Sequence, residues 1–188
     1  RLFTEVPIRY IDERMDLALL ELPRGSFDLG FRLRSVPPDD GESVIALGYP
    51  AYHGTPLWQY SAGIISNSAV NLDNAYRYLI QHTAPVDPGN SGGPLLTPVA
   101  GAPLGYEVVG VNCFKDRERE NTNFAVSAGD VRTFLRRAAR AVDVEKDPQL
   151  LAAELKERAA TLEAVLAADG PVHPALEGLV SYAFVEDR

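Results

Sequence analysis

The sequence predicts an all-β domain, a barrel or a sandwich, followed by α-helices. Three observations carry this. Short apolar runs recur through the first two-thirds of the chain, each bounded by Gly, Pro, Asn or Asp. Six of these runs lie after residue 42, enough to close one barrel, while only two lie before it. From residue 129 the apolar residues change to helical spacing. The 188 residues, 46% hydrophobic and 23% charged, suit one globular domain with a small appendage. We place the domain at 1–142 and a helical extension at 143–188.

In chain order, residues 4–10 are rich in β-formers, and 16–22 are almost continuously apolar after an opening aspartate. Strands are then predicted at 43–48, 59–67, 76–82, 93–97, 105–114 and 122–127. Two strands before residue 42 are too few for a second barrel, which would leave edges unpaired and an apolar face on 16–22 uncovered. A helix is predicted over 129–142, with Val131, Phe134, Leu135, Ala138 and Ala139 on one face and four arginines elsewhere. Asp147 and Pro148 read as the N-cap and first residue of another, running to about residue 169 before Gly170 and Pro171. Its apolar stripe is Leu151, Leu155, Leu162, Val165 and Leu166. A third short helix after Pro174 would use Leu176, Leu179, Val180, Ala183 and Phe184. This extension reads either as a hairpin packed on the domain or as a linker and docking segment.

Net charge is −8 and the isoelectric point about 4.9. Such a surface repels phosphate backbones, which argues against nucleic acid as a partner. No apolar run is long enough to span a bilayer. The single cysteine, Cys113, permits no internal disulfide and no cysteine metal cluster, and the sequence calls for no metal or cofactor. It sets no demand for an oxidising compartment. The cytoplasm is therefore the expected location, with the periplasm kept open.

The densest chemical signal is the run from Asp87 to Pro94, Asp-Pro-Gly-Asn-Ser-Gly-Gly-Pro. It puts Ser91 in a tight glycine-rich turn, where the Gly89 and Ser91 amides can act together on an oxyanion. Residues 89–93 also fit Gly-x-Ser-x-Gly, the elbow that leads a strand into a helix. Here Gly92, Gly93, Pro94 and Pro98 are poor material for a helix, so the run reads as a turn entering a strand.

Four stretches together resemble a chymotrypsin-fold, trypsin-like serine protease, closest in style to the bacterial HtrA (DegP-type) group. Asp16 with the apolar run behind it is similar to the strand that opens with the triad aspartate. Gly48-Tyr49-Pro50 through Ser66 resembles the start of the second barrel, and Ile80 through Pro94 the nucleophile segment. The stretches at Val108 to Asn112 and Asn123 to Ser127 resemble the last two strands. The resemblance spans about residues 4–140. It implies a double β-barrel, the first incomplete in this chain and the second complete, with Ser91 as nucleophile, Asp16 orienting a histidine, and Gly89 and Ser91 as the oxyanion hole.

In that family the histidine precedes the aspartate. Here no histidine precedes Asp16; His53, His82 and His173 all follow it. The expectation is therefore that the N-terminal part carrying the base lies outside these residues, and that the 188 residues alone are inactive. The partners expected are a protein or peptide substrate, and a missing N-terminal segment of the same polypeptide or another chain. The resemblance places Pro85 and Val86 in the substrate pocket, with Asn112, Cys113 and Phe114 on the opposite wall. Pro85 stands six residues before the serine, where trypsin has its pocket aspartate, so a neutral pocket is expected. Phe114 reads as a packing aromatic and Cys113 as a buried small residue. Asn90 cannot form the ion pair with a new N-terminus that activates the digestive relatives. His82 reads as a half-exposed strand residue, and His53 and His173 as surface residues. The function implied is a serine endopeptidase acting through an acyl-enzyme. The alternative is a peptide-binding pseudoprotease that has kept the turn without the chemistry.

Overall fold

Period-two alternation and turn residues set the strands in the computed structural model, which describes residues 6–23, 29–72, 77–141 and 179–180. They are β1 (Ile8–Asp12), β2 (Leu17–Glu21), β3 (Arg32–Leu33), β4 (Ser43–Gly48), β5 (Ala51–Tyr52), β6 (Thr55–Pro56), β7 (Gln59–Val70), β8 (Leu79–His82), β9 (Pro94–Pro98), β10 (Tyr106–Lys115) and β11 (Asn123–Ser127). Helix α1 (Ala128–Ala141) and a short β12 (Leu179–Val180) follow.

The six strands expected after residue 42 close a barrel. Their order is β11-β8-β7-β4-β9-β10, and β10 pairs back onto β11. Closure removes the free edges that an open sheet of this size would present. In β4 the alternation is plain. Val44 and Ala46 join Ile65, Ile80, Leu95, Val109 and Ala125 in one buried cluster, while Ile45 turns to another with Leu96 and Val108.

A third cluster binds the remaining elements to the barrel. Met15, Leu17 and Leu19 from the β1–β2 hairpin pack with Leu79, Val111, Phe124 and Val126 of the barrel and with Val131, Phe134 and Ala138 of α1. The helix begins at Ser127, whose hydroxyl accepts the Asp130 N–H at 3.1 Å, an N-cap bond. Asp130 also accepts the Tyr78 N–H at 2.6 Å, tying the helix start to β8. Arg137 reaches Asp12 at 3.0 Å, and Arg132 donates to the Leu33 carbonyl at 3.0 Å. The arginines of the helix thus grip the ends of β1 and β3 beside its apolar face.

Four expectations are corrected. A third strand, β3, precedes residue 42 and runs parallel to β10, because Arg32 pairs with the buried Glu107 across that edge. The apolar residues at 16–22 do not stand open: α1 and the barrel cover Leu17 and Leu19, Leu22 is also buried, and the exposed apolar residues of the hairpin are Ile8 and Ile11 on β1. Leu179 and Val180 are not helical but extended, and pair antiparallel with Glu21 and Leu20 of β2. The open β2 edge offers backbone partners that a helix could not use. His82 is fully buried in the barrel rather than half-exposed. The expected helix at 147–169 and His173 lie outside the described residues. Among those described, no helix is long and apolar enough to cross a membrane.

Candidate active site

The serine turn is built by its own backbone. Asn90 N–H donates to the Asp87 carbonyl and Gly93 N–H to the Asn90 carbonyl, both at 2.9 Å. The turn is then sewn to β10: Gly92 N–H reaches the Asn112 carbonyl at 2.8 Å, and Asn112 N–H the Gly93 carbonyl at 2.9 Å. Among the described residues, the N–H groups of Gly89 and Ser91 take part in none of the backbone hydrogen bonds. Gly89 has φ +104°, and a side chain there would strike the Tyr49 carbonyl and Pro50 Cα. After Gly93 the chain enters β9 and not a helix, as expected from its prolines.

Two buried asparagines brace this turn. Asn112 Nδ2 donates to the Gly93 and Pro94 carbonyls at 3.1 and 3.2 Å. Asn90, the residue before the nucleophile, donates to Gln59 Oε1 of β7 at 2.6 Å. A third, Asn123, donates to the carbonyls of His82 and Ala84, holding the strand that leads into the turn. The bracing roles of Gln59 and Asn123 were invisible in the sequence, since both depend on register across the barrel.

Ser91 is half-buried, and its hydroxyl donates to the Cys113 carbonyl at 2.8 Å. The reason lies in β10. Opposite β11 the register jumps between Asn112 and Phe114, so Cys113 is the extra residue of a β-bulge. Its side chain is buried, with Sγ 3.3 Å from the Phe124 carbonyl. Burial pushes the thiol pKa up to about 12, so Cys113 is a neutral packing residue.

Asp16 does not open β2 as expected. It ends the turn before it, in the left-handed region at φ +57°. Its carboxylate is about one-third exposed and pairs with Arg77 at 3.3 Å. Asp16 and Arg77 both act electrostatically on Cys113, while Ser91 binds the carbonyl of that same residue. Ser91 thus touches the bulge, and the charges of Asp16 and Arg77 are felt there. Arg77 went unnoticed in the sequence, because a lone cation between tyrosines carries no signal for a partner so far along the chain.

No histidine among the described residues is bonded to Ser91 or Asp16. His82 is sealed in the barrel, and neither ring nitrogen has a hydrogen-bond partner. Burial pulls its pKa down to about 4, outweighing Asn112 and the Ala84 backbone, which act the other way. The ring is therefore neutral. His53 is exposed in the β5–β6 turn.

An open cavity of about 610 Å³ lies beside the turn, with Pro85, Val86 and Asp87 on one side and residues 115–121 with Asn123 on the other. Asn112, Cys113 and Phe114 do not line it. The first two point into the core, and Phe114 stacks on Phe124 with ring centroids 4.8 Å apart. The opposite wall is instead the charged loop after β10. Lys115 bridges the opening to Asp87 at 2.8 Å.

Residues 3–111 match the trypsin-like peptidase domain. The mouse serine protease HTRA4 is 31% identical over 137 residues, covering 70% of this chain and 26% of that protein. The active form of the Rv3671c protease from M. tuberculosis aligns with a TM-score of 0.59 and 26% identity, over 70% of this chain and 57% of the other. The HtrA-type protease AlgW, solved with a decapeptide, aligns with a TM-score of 0.60 at 24% identity, over 72% of this chain and 40% of the other. The chain spans about a quarter of the length of the curated relatives it matches.

Proposed function

This chain belongs to the trypsin-like peptidase family, and from that membership we propose that it is the nucleophile-bearing part of a serine endopeptidase. Ser91 attacks the peptide carbonyl and forms the acyl-enzyme, and the Gly89 and Ser91 amides hold the oxyanion. A histidine outside these residues takes the serine proton, with Asp16 orienting it, and returns that proton to the leaving amine. The base comes from another segment of the polypeptide or from a partner chain. Its peptide groove is the region of β10 and the adjoining cavity, the two surfaces that flank the serine turn.

The observation that carries this reading is the serine turn. Its two oxyanion amides have no backbone partner among the described residues, and the turn is held by three buried asparagines. The Ser91–Cys113 hydrogen bond is a resting contact, which the hydroxyl exchanges for the histidine when substrate displaces it.

A second reading, the peptide-binding pseudoprotease, draws on the same contacts. Ser91 is occupied by Cys113 and Asp16 by Arg77. A peptide-library digest separates the two. The endopeptidase reading predicts cleavage by the complete protein, and Ser91→Ala that still binds peptide but cuts none. Peptide binding without cleavage by the parent protein would leave the pseudoprotease.

A further inference from the structure

The carboxylate of Asp16 has two oxygens in different surroundings. Oδ2 lies 3.3 Å from Nη1 of Arg77, and the same Nη1 donates to the backbone carbonyl of Met15 at 2.9 Å. One guanidinium therefore holds both the side chain of Asp16 and the peptide before it. Oδ1 has no hydrogen-bond or ion-pair partner among the described residues. The turn needs such a hold. Asp16 sits at φ +57°, a conformation that is unfavourable for a residue with a Cβ, and its own N–H reaches the Glu13 carbonyl only at 3.3 Å. Arg77 is mostly buried, and immediately after it Tyr78 is anchored by the start of α1. The cation is thus fixed in place rather than free on the surface.

We propose that Arg77 is a positioning residue of the catalytic group, fastening Asp16 through Oδ2 and the Met15 carbonyl so that Oδ1 is left for the imidazole N–H of the general base. This rests on the serine-peptidase reading and adds a residue to it. A carboxylate can accept from a guanidinium and an imidazole at once, because each oxygen offers its own lone pairs. The arrangement has a second consequence. The imidazolium that forms during acyl transfer is stabilised by Asp16 and opposed by the nearby guanidinium. Arg77 improves the orientation of the base and lowers its basicity together.

The other charges around the turn do not substitute for it. Asp12 is paired with Arg137 of α1, Glu13 and Arg14 stand exposed, and the thiol of Cys113 on β10 is neutral at working pH. Arg77 is the cation in contact with Asp16.

The test is the rate of Ser91 modification by a fluorophosphonate, measured from about pH 5 to 9 on the complete protein, where a neutral base gives a rising limb. In Arg77→Gln and Arg77→Met the limb should move up by about one pH unit and the plateau should fall by about tenfold. Met keeps the packed aliphatic stem, which guards against loss of folding in Gln. Arg77→Lys should keep the limb in place and recover most of the plateau. The proposal is overturned if the limb does not move in a folded neutral variant, or if Lys behaves like Gln. Failure of both neutral variants to fold would also overturn it, since residue 77 would then serve the fold. If the parent protein shows no Ser91 adduct, the peptidase reading itself fails; an adduct with an unmoved limb removes only the role of Arg77.

Discussion

Replacing Gly89 with alanine separates two costs that the structure sets apart. The first is backbone strain: Gly89 has φ +104°, where an L-residue is unfavourable. The second is contact. The new Cβ would lie 2.8 Å from the Tyr49 carbonyl oxygen and 2.9 Å from Pro50 Cα, and both are backbone atoms. That wall resists moving aside, because the Pro50 carbonyl accepts the Leu57 N–H at 3.0 Å and Ala51 beyond it is paired with Pro56. Gly101 is the control, with φ +81° and nothing within 4 Å of its added Cβ. Gly101→Ala should cost about 1–2 kcal/mol from strain alone. Gly89→Ala should add about 1–3 kcal/mol of overpacking, for a total near 3 kcal/mol. The strain should also turn the Gly89 amide out of place, and losing one oxyanion donor slows acyl transfer by about 10²-fold. Urea midpoints give the first quantity, and the fluorophosphonate labelling rate of Ser91 the second. Equal midpoints for the two variants would refute the account of the Tyr49–Pro50 wall. A labelling rate in Gly89→Ala within about threefold of the parent would refute the oxyanion role.

Three further outcomes are expected. His82 titrates near 4 when folded and near 6.5 when unfolded, so the unfolded chain binds the proton first as pH falls. Its contribution is complete above about pH 6.5 and declines toward pH 4, by about 2 kcal/mol between pH 7 and 5. His82→Gln should remove that much of the pH dependence of the urea midpoint, and an unchanged slope would contradict the buried neutral ring. Cys113 should resist iodoacetamide at pH 8 in the native protein and react on unfolding, given a thiol pKa of about 12; rapid native alkylation would show that it is not sealed. In the peptidase reading, substrates with a neutral residue before the scissile bond should be cut better than those with Lys or Arg. Asp87 is already committed to Lys115, Pro85 and Val86 carry no charge, and the loop opposite carries as many cations as acids, Lys115, Arg117 and Arg119 against Asp116, Glu118 and Glu120. A cleavage profile dominated by Lys or Arg would reject that pocket.

The barrel was legible because its six strands are apolar, alternating and cleanly punctuated; the 43–48 strand matches to the residue. The helix was legible for a related reason, since Val131, Phe134 and Ala138 recur on one face and are buried there. Elements that depend on a partner rather than on their own pattern were hidden. Two-residue β3 exists because Glu107 draws in Arg32, and β12 because β2 has an open edge. At the site, Ser91 could be read from its turn, which local sequence dictates. The bulge at Cys113 could not, because it is a property of how β10 and β11 fall into register. The same holds for the Arg77–Asp16 pair and for His82, whose burial follows from its pairing with Asn123 on β11 and Ile65 on β7.

The central claim is that Ser91 is an activated nucleophile. The most direct measurement is mass spectrometry of the complete protein after brief exposure to a fluorophosphonate probe, with the adduct mapped to a residue. The account predicts one adduct on Ser91, lost in Ser91→Ala and strongly reduced when Asp16 is changed to Asn. A folded, complete protein that carries no adduct at Ser91, or carries it on another residue, would contradict it.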